Sequence, residues 1–412
     1  MFSEEEVAEE QVHFQNVVQT FRQYARYSLS ANHRRRKDLS TLPLADRALL
    51  DDLGYKKKLQ EVDEAILANA KFLNKIVENP EIFGHDVGSE DGELGGTDSA
   101  NHPSSLSRGL FHVLSAPTKC QRELIMPGKL CSARPSDPRK QRYNPTEFDM
   151  DKLRSTLKLF VRDWSHDGKP ERDACYEPMK EALMTYFEGK NRETIRVLVP
   201  GAGLGRLAYD VAKLGFACQA NEFSHYMLLA SFLILNKTDA IEEYTIYPYV
   251  HSFSNVPRRE AMLKAVQIPD ISPSDLPQGS SFSLVAGDFE EIYGAEHTDE
   301  DEPQAGKWDA VLTCFFIDTA KNIVNYLRVL HRILAPGGVW INLGPLLWHF
   351  ENNENNYPSI ELDLDEVKAL ARKIGFELHN ERTIETTYSS NEESMLGYVY
   401  HAAFWKATKV SQ

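Results

Sequence analysis

The sequence predicts an α/β protein: a doubly wound, mostly parallel sheet preceded by a helical extension. Three observations predict it. From Arg196 onward, short apolar runs alternate with amphipathic helical stretches, the pattern of strands joined by crossover helices. The first run, "RVLVPGAGLGR", passes from a buried strand through alternating glycines at 201, 203 and 205 into a helix. Upstream of residue 190 the periodicity, where there is one, is helical, over residues 4–80 and again within 110–190.

In chain order, "EEVAEEQVHFQNVVQTFRQYARYSL" sets Val7, Val12, Phe14, Val17, Val18, Phe21 and Tyr24 on one helical face. A second helix is predicted over Ala45–Lys75, giving an N-terminal helical region over residues 1–83. Residues 84–109 are polar and glycine-rich with little to bury, and read as a flexible loop or linker. Residues 110–190 form a helical extension, around Met150–Ser165 and Tyr176–Phe187, that covers the cofactor site. The α/β domain occupies 191–412. Its strands are "RVLVPG", "ACQANEF", "FSLVAGDF", "WDAVLTCFFI" and "GGVWINLGP", and two later runs, "ELHNERTIET" and "YVYHAAFWKA", add edge strands.

Composition excludes several functions. With 46 basic against 61 acidic residues the net charge is −15, which repels nucleic acid unless the chain carries a local basic face. The runs "HRRRK" and "KKK" read as solvated helix surface. Five scattered cysteines in no C-x-x-C pair argue for a reducing, intracellular setting and against a metal site. The longest apolar run, "MLLASFLIL", is about half a membrane span, so no membrane segment is expected.

The glycine loop asks which nucleoside it serves. A dinucleotide fingerprint needs glycine at 206, where Arg206 stands, and the Gly-Lys-Ser/Thr of a phosphate loop is missing. Gly201 and Gly203 instead permit close approach of a nucleoside without a pyrophosphate, such as S-adenosyl-L-methionine (AdoMet). Glu222 ends the second strand, 21 residues after Gly201, where a carboxylate accepts ribose hydroxyls. Asp288 and Phe289 end the third strand, an acceptor for an adenine amino group and a ring to stack or wall it. This order of elements points to a class I, Rossmann-like AdoMet-dependent methyltransferase. Substrate groups then come from the ends of the fourth and fifth strands. The Asn/Asp-Pro-Pro-aromatic loop of base and glutamine methylation is missing, and Cys314, Phe315, Phe316 and Asp318 stand there. Asp318 is also placed to cap the following helix, and one of Tyr398 and Tyr400 is expected to pack in the core.

The strings "LVPGAGLGRLA", "CQANEFS", "AGDFEEIY", "TCFFIDTA", "PGGVWINLGPLLWHFEN" and "VRDWSHDGKPERDACYEP" resemble the carnosine N-methyltransferase family over roughly residues 140–405. That resemblance implies methylation of the imidazole of β-alanyl-histidine to anserine, with S-adenosyl-L-homocysteine as co-product. It also implies a homodimer and residence in cytosol and nucleus. It assigns cofactor contacts to Arg162, Gly201, Glu222, Asp288, Phe289 and Cys314, and dipeptide contacts to Asp318, His349, Tyr388 and Tyr400. Of these, Asp318, His349 and Tyr400 are expected to carry catalysis. The family's glutamine three residues before the arginine is Leu159 here. Alternatives are histidine methylation within a protein or longer peptide by the same site, and an AdoMet-binding interaction module.

Overall fold

A computed structural model describes residues 4–79, 113–115, 143–294, 304–353 and 357–410. The expected 84–109 linker, the first part of the 110–190 extension apart from residues 113–115, and most of the acidic loop 296–304 lie outside the described residues.

Among the described residues the strands are β1 (Val113–Ser115), β2 (Arg196–Pro200), β3 (Ala217–Glu222), β4 (Tyr244–Ile246), β5 (Val266–Ile268), β6 (Phe282–Ala286), β7 (Trp308–Cys314), β8 (Leu334–Gly344), β9 (Phe376–Thr386) and β10 (Tyr400–Lys409). The helices are α1 (Glu4–Thr41), α2 (Leu44–Asp52), α3 (Tyr55–Ile76), α4 (Glu147–Trp164), α5 (Lys169–Tyr186), α6 (Arg206–Lys213), α7 (His225–Asn236), α8 (Arg259–Met262), α9 (Phe289–Tyr293), α10 (Ile323–Ile333) and α11 (Leu364–Ile374).

The main sheet runs in the order β1-β6-β3-β2-β7-β8-β10-β9, with β4 and β5 a separate antiparallel pair. All neighbours from β1 to β8 are parallel, and β10 is antiparallel to both β8 and β9. Order reverses between β2 and β7, so the crevice above their C-terminal ends is where such sheets bind ligands. The β2 register buries Val197, Leu198 and Val199, and parallel strands covered on both faces need such unbroken apolar runs.

Several expectations need correction. Of the two later runs only β9 is an edge strand: β10 inserts between β8 and β9, pairing along most of its length on both sides. The strand starts only at Tyr400, so alternation does not reach Tyr398, which is 71% exposed while Tyr400 is half-buried. Neither packs in the core, which Phe404 and Trp405 fill instead. The stretch 45–75 is two helices, because Gly54 takes φ 73° between α2 and α3. The α5 helix starts seven residues before Tyr176, with a proline in its first turn and Pro178 accommodated within it. On α1, Phe14, Val17, Val18, Phe21 and Tyr24 are buried as expected, but Val12 is exposed; the side chain of Val7 lies outside the described residues.

The helical extension is fastened to the sheet by a buried charge network. Asp270 accepts from Arg172 Nη2 at 2.6 Å and from Arg206 Nη1 at 2.6 Å. Arg206 also donates to the carbonyl of Asp163 at 2.7 Å and to Asp210 at 2.9 Å, with its guanidinium over the Trp164 ring. Arg172 closes the α4–α5 turn by donating to the carbonyls of Arg162 and Ser165. The arginine that breaks the dinucleotide fingerprint is thus the bolt that holds α4 over the glycine loop.

Candidate active site

The glycine loop leaves β2 with Gly201, Gly203 and Gly205 all at positive φ (62°, 56° and 81°). At Gly201 a Cβ would lie 2.5 Å from Phe316 Cδ2, so this position requires glycine for space as well as for conformation. Gly201→Ala is therefore expected to lower the melting temperature more than Gly189→Ala, where φ is also positive (74°) but nothing lies within 4 Å. Equal shifts in a thermal melt would show that Phe316 does not police the loop.

Glu222, at the end of β3, is buried, and burial pushes its carboxyl up while three backbone donors pull the other way. Oε1 accepts from Phe223 and Ser224 N–H at 2.9 and 2.8 Å, and Oε2 from Gly203 N–H at 2.8 Å. A carboxylate offers about four in-plane lone-pair sites. Three are committed, so one remains to face a hydroxyl without disturbing the loop.

Asp288 turns out to be a helix cap: its Oδ1 accepts from Glu290 and Glu291 N–H, which leaves Oδ2 for a ligand. The capping role weighed for Asp318 belongs here and to Asn322, which caps α10. Phe289 is buried with Tyr293, Phe316 and Tyr326, its ring 5.3 Å from that of Phe316. It backs the loop through Phe316.

Arg162, on α4, is 5% exposed. Its Nη1 donates to Asp163 Oδ1 at 2.9 Å and Tyr176 Oη at 2.7 Å, and Nε lies 3.5 Å from Glu171. Its Nη2 is buried without a hydrogen-bond partner. An unpartnered buried guanidinium nitrogen costs several kcal/mol, so an anion meeting this atom would relieve that cost. Asp163 Oδ2 lies 4.0 Å from where a Cβ on Gly203 would sit, directly beside the loop. Cys314, at the end of β7, hydrogen-bonds Cys175, which with Arg162 pulls that second thiol down to about 6 against burial. Cys175 also meets Thr386 Oγ1 at 3.2 Å.

The side expected to hold the substrate starts at Phe315, which takes φ 52°, rare for a bulky residue. Its ring lies 4.7 Å from that of Tyr388 and 5.6 Å, edge to face, from Tyr400. Asp318 is buried; its Oδ2 accepts from Leu347 N–H at 2.9 Å and its carbonyl from His349 N–H at 3.1 Å. Burial raises the Asp318 carboxyl above the usual range, with the Leu347 N–H and the neighbouring His349 opposing. His349 itself is exposed at the rim, its backbone tied to Asp318. Tyr388 lies under the Arg162 guanidinium, 4.8 Å from its ring centre, which brings the two sides of the site together.

Sequence reasoning missed Asp163 and Glu171. Glu171 accepts from Thr387 Oγ1 and from Ser389 and Ser390 N–H, at 2.6, 2.7 and 3.2 Å, and so holds the Tyr388 segment against Arg162. Its place in "VRDWSHDGKPER" was visible, but its partners lie more than two hundred residues away. Among the described residues no group of His, Cys, Asp or Glu is arranged to hold a metal, and no helix is long and apolar enough to cross a membrane.

A sheet of this order, a glycine loop opening α6 at the switch point and a carboxylate ending the next strand define a class I methyltransferase fold. The chain matches the family described as "Carnosine N-methyltransferase" over residues 139–411. It belongs to that family. It is similar to the mouse carnosine N-methyltransferase, 48% identical over 265 residues covering 64% of each chain, so the match spans under two thirds of that relative's length. It is also similar to the fission yeast carnosine N-methyltransferase, 45% identical over 62% of this chain and 70% of the relative. The Drosophila protein "Carnosine N-methyltransferase unmet" is 33% identical over 97% of this chain and 80% of its own.

Proposed function

We propose that the protein is an AdoMet-dependent methyltransferase that methylates an imidazole nitrogen of carnosine, giving anserine and S-adenosyl-L-homocysteine. The observation that carries the cofactor half is the buried, unpartnered Nη2 of Arg162 beside the glycine loop. AdoMet fits the residues present. Arg162 Nη2 would hold its carboxylate and Asp163 Oδ2 its ammonium; the free lone pair of Glu222 would take a ribose hydroxyl and Oδ2 of Asp288 the adenine amino group. When bound, AdoMet supplies an electrophilic methyl on a sulfonium. The relatives' names support the carnosine half.

The protein's own part is to orient and to take one proton. An imidazole has a pKa near ~6.5, so a useful share is neutral at pH 7 and no strong base is needed. One ring nitrogen must offer its lone pair to the methyl group while the other keeps its proton. Asp318, buried and pushed up, accepts that N–H, fixes the tautomer, and receives the proton when the new N–C bond leaves the ring cationic. Phe315, Tyr388 and Tyr400 enclose the ring, and His349 at the rim meets the far end of the dipeptide. The substrate is thus a small histidine-containing peptide. The resemblance to the family supports a homodimer in cytosol and nucleus.

Titration calorimetry tests the cofactor half. The wild type should bind AdoMet, and Arg162→Gln should weaken it by about 10–100-fold, since a charged hydrogen bond contributes ~1.5–3 kcal/mol. Asp163→Asn should weaken AdoMet more than it weakens a deaminated analogue. Equal affinity in wild type and Arg162→Gln would contradict the assignment.

A further inference from the structure

A polar cavity of about 180 Å³ lies between α1, α3, the first half of α4 and residues 250–253, with no glycine-loop residue in its lining. Its lining carries three guanidinium groups, Arg34, Arg35 and Arg154, against one carboxylate, Glu147. Glu147 is already engaged by Tyr27 Oη at 2.5 Å and Arg154 Nη1 at 2.6 Å. Arg154 also reaches the outward-facing Asp151 at 2.9 Å, and its Nε is buried without a partner. Among the described residues no carboxylate lies within 4 Å of Arg34 or Arg35, whereas the next residue, Arg36, pairs with Asp63 at 2.5 Å. Arg35 instead sits 3.7 Å above the Phe253 ring, with Lys58 4.9 Å from the same ring.

The charges of Arg34 and Arg35 are uncompensated among the described residues, and their neighbours register it. Burial and then Arg154, Lys158 and Arg35 push His251 down to about 3, so it is neutral and adds no charge. Burial, with Arg259 and Arg35 next to it, lowers Lys58, and burial with Arg34 lowers Arg35. Arg35 and Lys58, in runs read as solvated helix surface, are half-buried against the Phe253 ring. A chain of net charge −15 has gathered an excess of two positive charges around a hollow.

We propose that this cavity is an anion site that takes a dianionic phosphate group, free or as a small phosphate monoester. The lining excess of two charges matches a phosphate, which carries ~1.5–2 negative charges at neutral pH. Planar guanidinium groups suit phosphate oxygens, and Phe253 bounds the side where an organic substituent would lie. The occupant would bridge α1 to α4, and α4 carries Arg162 at its other end. The site stands independently of the methyl-transfer reading.

The test is calorimetry and thermal melting of the full chain with inorganic phosphate and with glycerol phosphate, in chloride of matched ionic strength. One saturable site and a rise in melting temperature are expected, with affinity at least tenfold weaker in Arg35→Gln and in Arg34→Gln. Tighter binding of glycerol phosphate would identify a monoester as the ligand, and equal binding the free ion. AdoMet affinity should be unchanged in both variants. Arg34 is exposed, so its variant carries the test should Arg35→Gln fail to fold. A rise reproduced by chloride, or phosphate affinity unaltered in the variants, would overturn the proposal.

Discussion

Asp318→Asn is expected to lower kcat for imidazole methylation by about 10²–10³-fold, within the range for loss of a positioned proton acceptor. The substitution keeps the fold, because an amide oxygen can still accept the Leu347 N–H that Oδ2 accepts at 2.9 Å. With that oxygen committed, the amide turns its NH2 toward the substrate. A donor then faces the imidazole N–H, which favours the wrong tautomer and leaves the released proton without an acceptor. KM should change less than kcat. In the wild type the acid limb of the rate profile should reflect both the imidazole, which reacts only when neutral (pKa ~6.5), and Asp318, which burial raises and which accepts only when ionised. His349→Ala should also abolish transfer, yet leave AdoMet affinity within about twofold, since His349 sits at the rim away from Arg162 and Glu222. Steady-state rates and calorimetry on both variants check this. Loss of AdoMet binding in His349→Ala would show that the rim residue belongs to the cofactor side.

Asp270→Ala should cost about 3–5 kcal/mol of stability, the penalty of leaving buried charge uncompensated. Two guanidinium groups converge on this one carboxylate, and Arg172, Arg206 and Asp270 are all at most 7% exposed at their side chains. A loss of that size is a large part of a domain's ~5–15 kcal/mol, so part of the variant population should be unfolded near physiological temperature. The same carboxylate makes a definite pH prediction. Burial would raise it, but Arg206 and Arg172 outweigh burial and hold it below the ordinary range. Its folded pKa is thus below its unfolded ~3.9, so its contribution is complete at neutral pH and lost as pH falls through the folded value. Urea denaturation across pH 3–7 should show the gap between wild type and Asp270→Ala narrowing toward acid. A constant gap under about 1 kcal/mol would show that the network is not what fastens α4 and α5 to the sheet.

The glycine loop and its carboxylate were legible because they are local. Gly201, Gly203 and Glu222 lie within one strand-loop-helix-strand unit, and the parallel order follows from crossover helices of readable period. What escaped depends on pairings that no local pattern encodes. The place of β10 between β8 and β9 is one; the hold of Glu171 on residues 387–390 is another. Arg206 was noticed only as a missing glycine, since its partners Asp163 and Asp270 come from elements on either side of it in the chain. The half-burial of Arg35 and Lys58 escaped for the same reason: a helix period shows which face is polar, but not that Phe253 and a cavity meet it.

The central claim is tested most directly by incubating the purified protein with methyl-labelled AdoMet and carnosine and locating the label by NMR. The account predicts anserine, with the label on one imidazole nitrogen, formed by the wild type and not by Asp318→Asn. Label that stays on AdoMet, or that appears on the β-alanyl amine, would contradict it.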